Sequence, residues 1–458
     1  MEKIPNNMET KSLDTPDKNE SSSGESYSAG LRLDSKGLPL SPQPSEDPLE
    51  PLNWKSWLKL VVLLEVSTLS FLALFNAALI TPTFVPLSKY LHQTITETAY
   101  ITSIFIAFAG ASSLLWNPIS NVYGRRPVYI VSIALSIASS AASGASSSYG
   151  ELLAFRALNG FFGGVALGLG SATVSDLYFT HERGLYMGIY TLSLITGGHV
   201  APIIGGFIER SLTWRWCFYI PAIITAFMLP LFILTVPETL YPHTQLEQGY
   251  RPFKSWMHNM TMKGSLDPRR RLRITDFVRP LQMLWYPSVS LPTLYYAVSF
   301  GWGSILFIIS SASIFAKTYH FKPYQTGVLL GVPLTVGSLL GEMLSGAFSD
   351  WIYSRRALAR GGARKPEDRL FALGPAIILL PLGLIIEGVC IERKTHWSGV
   401  GMGIAIASFG LQIASTIIYT YTNEVKSIFP LDFKQKHATA FQPLLMRICS
   451  AIDHRPRK

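Results

Sequence analysis

The chain has 458 residues, of which 48% are hydrophobic and only 15% charged, with a mean hydropathy of +0.27 and a net charge of +10. Soluble domains carry roughly 25% charged residues, so the bulk of this chain is not a water-soluble core. The basic excess does not mark a nucleic-acid surface either, because the cations fall in short turns between apolar runs, the pattern of membrane orientation.

Residues 1–56 are rich in Ser, Pro, Asp and Lys and hold no apolar stretch that would serve as a secretory signal. They are expected to form a disordered cytoplasmic tail. Ten apolar runs follow, at about 57–80, 98–118, 127–146, 152–175, 186–208, 216–236, 286–315, 325–348, 370–391 and 398–421. Each reaches the roughly 20 residues that cross a bilayer as a helix. The expectation is an all-α polytopic membrane protein: an N-terminal six-helix bundle over 57–236, a basic cytoplasmic loop over 237–285, and a partial C-terminal bundle of four helices over 286–421. A cytoplasmic tail over 422–458 completes it. Its one apolar stretch, 441–452, contains Arg447 and is too short to span.

Counting Lys and Arg with the N-terminus inside places 17 on inner loops, among them Arg125, Arg126, Arg183, Arg251, Arg270, Arg355, Arg356, Arg360, Arg364 and Lys365. Seven fall on outer loops: Lys89, Arg210, Arg215, Lys317, Lys322, Arg393 and Lys394. That bias sets the orientation. The three cysteines, Cys217, Cys390 and Cys449, are too scattered for a disulfide framework or a metal site. Walker-type phosphate loops, HExxH and paired CxxC are absent, so no cofactor, metal or ATP hydrolysis is expected. Any energy must come from an ion gradient.

Two basic segments occupy corresponding places. Residues 117–127 end in Asn121, Gly124, Arg125, Arg126 and Pro127; about 230 residues later, 346–356 carry Asp350, Arg355 and Arg356. Such a pair implies two pseudo-repeated helix bundles, the usual build of a secondary transporter. On the repeat pattern the second half is two helices short.

From about residue 47 to 423 the chain resembles the major facilitator superfamily, and within it the fungal drug:proton antiporter-like carriers. The resemblance rests on the loop 117–127; on Leu153 to Gly160 with its membrane arginine, Arg156; on the helix-five set Gly188, Gly197, Pro202, Gly205 and Gly206; and on the segments 47–54 and 237–239. The chain departs from that pattern where the family's loop acid is Asn121, where a Gly is Ala201, and in the last two helices of twelve. In the family that acid meets the eleventh helix and holds the halves together.

The candidate residues each have two readings. Arg125 and Arg126 either latch the cytoplasmic side through acids such as Asp176 and Glu182 or simply anchor the loop. Arg156 either faces the bundle interior or snorkels to the interface; the resemblance implies a part in proton coupling. Glu65 and Glu342, and nearer the outer end Glu387, are membrane acids that could switch protonation, or be paired, Glu65 with Lys59 or a loop arginine. The helix-five glycines permit either rocking or close packing. Tyr296, Trp302, Gln412 and Tyr419, with Asn76, are substrate-cavity candidates, since aromatics with a few hydrogen-bonding groups suit an amphiphilic molecule. The expected function is proton-coupled export of a small amphiphilic organic compound. The alternatives are import of a nutrient such as a polyamine or siderophore, and a truncated non-transporting membrane protein. Expected partners are the substrate, the proton gradient and the lipid bilayer, with the chain a monomer in the plasma membrane or, alternatively, the vacuolar membrane.

Overall fold

The computed structural model describes residues 32, 40, 43–179, 182–241, 259–260, 271–359 and 366–428. Most of the expected N-terminal tail, the loop cations Arg251, Arg270, Arg360, Arg364 and Lys365, and the tail beyond 428 lie outside the described residues.

In hydrocarbon every backbone N–H and C=O must be satisfied within the segment, and apolar runs of this length can do so only as helices. Ten helical spans among the described residues are long and apolar enough to cross a membrane. The first is built from α1 (Ser56–Ala78), a 3-10 turn at Thr81–Thr83 and α2 (Phe84–Leu91). Pro82 cannot continue the ladder. The hydroxyls of Thr81 and Thr83 donate to the carbonyls of Ala78 (2.8 Å) and Ile80 (2.7 Å), filling acceptors that the break frees. α3 (Ile95–Tyr123) opens with a reciprocal cap between Thr94 and Glu97. It stops at Gly124, whose φ of 100° suits glycine alone, and α4 (Arg125–Ala145) starts at once. The fourth span is broken into α5 (Tyr149–Gly163) and α6 (Val165–Leu177) at the Gly163–Gly164 pair. α7 (Arg183–Ser211) and α8 (Trp216–Thr235) close the first bundle.

Within the expected basic loop a short helix, α9 (Ile274–Gln282), packs against α3. The seventh span is α10 (Pro287–Phe300), a π-helical stretch at Gly301–Ile305, and α11 (Leu306–Thr318). α12 (Pro323–Ala359), α13 (Gly374–Glu392) and α14 (Trp397–Ile428) complete the second group. α14 runs several residues past the expected end at 421. The second basic segment is not a turn like the first. Arg355 and Arg356 sit inside the continuous α12, near its end, because Ser354 and Ala357 stand where the first half has the helix breakers Gly124 and Pro127.

Each half has its own core. Val62, Leu63, Tyr129, Leu169, Tyr190 and Phe232 fill the first; Phe307, Phe315, Leu334 and Ile404 fill the second. α7 is the spine between them, packed along α1 on one side and α12 on the other. At the end away from the basic loops the division disappears. Ile308 and Ala312 of α11 join a core otherwise made by the first half, around Phe75, Leu79, Phe84 and Phe218.

Candidate functional site

The seam between the halves is built where α7, α12 and α14 meet. Glu342, half-buried on α12, accepts from the Gln412 side-chain amide at 2.6 Å and from the Thr416 hydroxyl at 2.6 Å, both on α14 and both to Oε2. Its other oxygen faces α7, where a Cβ on Gly188 would stand 3.4 Å from it. One carboxyl thus touches all three helices. Continuing along the same face of α14, at helical spacing, Ser415 donates to the Tyr296 hydroxyl at 3.4 Å, and the Tyr296 and Tyr419 rings meet edge to face with centroids 5.6 Å apart. Glu342, Gln412, Tyr296 and Tyr419 therefore form one polar–aromatic strip, although the sequence separates them by up to 123 positions.

A second contact across the seam was not signalled by the sequence. Buried His199 of α7 has its Nδ1 2.9 Å from the Ser338 hydroxyl of α12, and Ser338 lies 2.8 Å from the Ser408 hydroxyl of α14, which donates in turn to the Leu334 carbonyl at 2.8 Å. This chain ties both halves together inside the hydrocarbon. A lone histidine in an apolar helix has no motif, and only its imidazole in a span that must be dry could have flagged it.

Arg156 does not snorkel. It is 0% exposed and lies inside the first bundle. Its guanidinium donates to the Asn76 side-chain oxygen (3.1 Å), the Asn76 carbonyl (3.3 Å), the Ala77 carbonyl (3.2 Å) and the Ile101 carbonyl (3.4 Å), and it stacks over Phe105 with 4.5 Å to the ring centroid. Asn76 and Ala77 end α1, so Arg156 fills carbonyls that the helix break leaves open and places a cation at the negative end of that helix. Asn76, expected at a substrate cavity, belongs to this cluster, its amide bound to Asn159 (2.9 Å) and Ser140 (3.2 Å). Trp302, in the π-helical stretch, is 57% exposed.

Glu65 is buried on the seam between α1 and α8, where Oε1 accepts from the Thr235 hydroxyl and Oε2 has no hydrogen-bond partner among the described residues. Its partner is neither Lys59 nor an arginine. Lys59 donates instead to the Leu52 carbonyl at 2.9 Å.

The first basic turn makes its contacts within one bundle. Arg125 forks onto Asp176 at the end of α6. Arg126 donates to the carbonyls of Val236 and, at 2.7 Å, Ile233, which end α8. In return Glu238, just past α8, accepts the backbone N–H groups of Arg125 (2.9 Å) and Arg126 (3.1 Å) at the start of α4. An anion at one helix start and a cation at another helix end cap both. In the second half, Arg356 pairs with Asp368 at 3.1 Å and Asp350 with Arg369 at 2.9 Å, while Arg355 stacks on Trp351.

The helix-five residues are places of close approach. A Cβ at Gly197 would strike the Phe71 carbonyl and one at Gly205 the Leu79 carbonyl, both on the α1 side. Gly206 abuts Pro323 and Tyr324 at the start of α12, and the Pro202 carbonyl abuts Gly327. α7 stays one continuous helix through Pro202.

Two helical bundles of membrane-spanning helices joined along such a seam, with a polar strip beside it, have the build of a membrane carrier. Residues 66–429 match the Major Facilitator Superfamily. The MFS-type transporter penM of Penicillium rubens is 30% identical over 381 residues, covering 82% of this chain and 74% of the relative. The efflux pump radE of Floropilus chiversii is 30% identical over 385 residues, covering 82% and 70%. Among solved structures, the xylose transporter XylE from E. coli aligns with a TM-score of 0.55 at 15% identity, over 80% of this chain and 90% of that one. The chain belongs to the major facilitator superfamily; it is a multi-pass membrane protein and a secondary transporter.

Proposed function

We propose that the chain exports a small amphiphilic organic compound, such as a drug or a fungal secondary metabolite, in exchange for protons across the plasma membrane. The observation that carries the reading is Glu342. It is a carboxyl at the seam of the halves, held by donors from α14 and turned toward Gly188 of α7. Two donors from α14 on one carboxylate oxygen tie the charge of Glu342 to the fit of α12 against α14. Glu65 and Arg156 are assigned no coupling role, because both are buried inside the first bundle and face neither α12 nor α14 in their hydrogen bonds. The strip from Gln412 to Tyr296 and Tyr419 supplies ring faces and hydroxyls for an amphiphile. The outward direction is supported by relatives named as efflux pumps, radE and mfs2 of Aspergillus flavus. The chain acts as a monomer, each copy holding its own seam.

Full-length protein in liposomes, tested with the neutral amphiphile Nile red, separates coupling from folding. With an imposed pH gradient the native chain moves dye against its concentration. Glu342→Gln loses gradient-driven movement while retaining exchange of internal for external dye. If Glu342→Gln keeps the gradient dependence, the coupling assignment fails; if the native chain moves no dye in either mode, export of such compounds fails.

A further inference from the structure

On the face away from the basic loops the halves line a half-open cavity of about 450 Å³. Its walls come from α2 and the turn before it, the end of α7, α11 and the start of α12, so any rocking of the halves must reshape it. The size falls in the range of roughly 300–1,000 Å³ that takes small organic ligands. Three cations line it, each from a different segment: Lys89, Arg210 and Lys322, with a single acid, Glu209. Arg210 is held with its guanidinium over the Tyr324 ring, 5.0 Å from the centroid, rather than on a carboxylate. Phe321 and Tyr324 add ring faces. Glu209 Oε2 is buried and makes no hydrogen bond among the described residues. A buried acceptor in that condition calls for a donor, and a net positive cleft with apolar walls concentrates anions.

We infer that this cavity is a ligand subsite for an amphiphilic organic anion that also carries a hydroxyl or amine. The acid group lies among Lys89, Arg210 and Lys322, the ring body against Tyr324 and Phe321, and the donor on Glu209 Oε2. As the place where cargo leaves, the subsite rests on the carrier reading above and gives that cargo a charge; binding itself does not depend on transport.

The probes are 6-hydroxynaphthalene-2-sulfonate, naphthalene-2-sulfonate lacking the donor, and 2-naphthylmethyltrimethylammonium with the opposite charge. The readout is the ligand-dependent melting midpoint of the full-length purified chain. The hydroxysulfonate gives a saturable upward shift, the plain sulfonate a weaker one, and the cation none. Arg210→Gln and Lys322→Gln each weaken hydroxysulfonate binding roughly tenfold, the worth of one charged hydrogen bond, and Glu209→Ala removes its advantage over the plain sulfonate. Lys89→Gln, on a separate helix, repeats the test where either of the other variants fails to fold. An equal shift with the cation, no saturable shift, or affinity untouched by these changes overturns the subsite. No hydroxysulfonate binding by the native chain while Nile red transport is intact sinks the subsite alone, and binding by the native chain without Nile red transport sinks the export reading alone.

Discussion

Arg156 shows how a guanidinium is accommodated inside a span. A guanidinium in a span is costly, and insertion scales put it near 3 kcal/mol. Here that cost is offset by at least four acceptors, two of them main-chain carbonyls at the end of α1 that would otherwise face a dry interior. Arg156→Met should therefore lower the stability of the purified protein by about 3 kcal/mol, the penalty for orphaning buried acceptors, seen as a lower melting midpoint in detergent. Arg156→Lys should fall between, since an ammonium lacks the fork that reaches Asn76 and Ala77 together. In neither variant should transport that remains lose its dependence on the pH gradient, which separates a helix-capping part from a coupling one. Glu238 is the mirror case. Its carboxylate caps the start of α4 by accepting the N–H groups of Arg125 and Arg126, and Glu238→Ala should cost about 2 kcal/mol by the same measure.

Among the elements, α7 decides the most. Its small residues let two helices approach from opposite sides, so substitutions on its two faces should have different outcomes. Gly197→Ala pushes a methyl into the Phe71 carbonyl of the same bundle and should destabilise the fold by about 1–3 kcal/mol, the usual cost of overpacking, with no selective effect on state. Gly206→Ala presses 2.7 Å from the Tyr324 Cα and the Pro323 carbonyl of the other half. It should instead favour the arrangement open on that face, read as faster labelling of a cysteine placed at Ala316. The spans themselves were legible because hydropathy over 20 residues has no rival explanation. The breaks were half legible: Gly163, Gly164, Gly301 and Gly303 stand out, but the π-helical stretch sits where Gly303 packs against Leu380 of α13 and Leu411 of α14, contacts that no local pattern encodes. α9 was hidden because nine residues with a proline and two charges of opposite sign resemble a loop. At the site, the sequence singled out Glu342, Tyr296, Gln412 and Tyr419 separately, and only the fold shows that they share one strip. His199 stayed hidden since one imidazole beside Gly198 and Ala201 carries no spacing to read.

For the molecule as a whole, the two halves touch in two different ways. Along α7 and α12 they share the hydrogen bond between His199 and Ser338. At the face away from the basic loops they share an apolar core and ring contacts, Phe207 and Tyr324 standing 6.2 Å apart between centroids and Ile308 packed into the first half. Alternating access requires the second contact to part while the spine persists. A bilayer carrier that works this way must lose transport when that face is pinned. The most direct measurement places cysteines at Phe207 and Tyr324 in a background without the native ones and follows Nile red movement in liposomes before oxidation, after it, and after reduction. The account predicts that oxidation stops transport and that reduction restores it. Undiminished transport by fully cross-linked protein would contradict it.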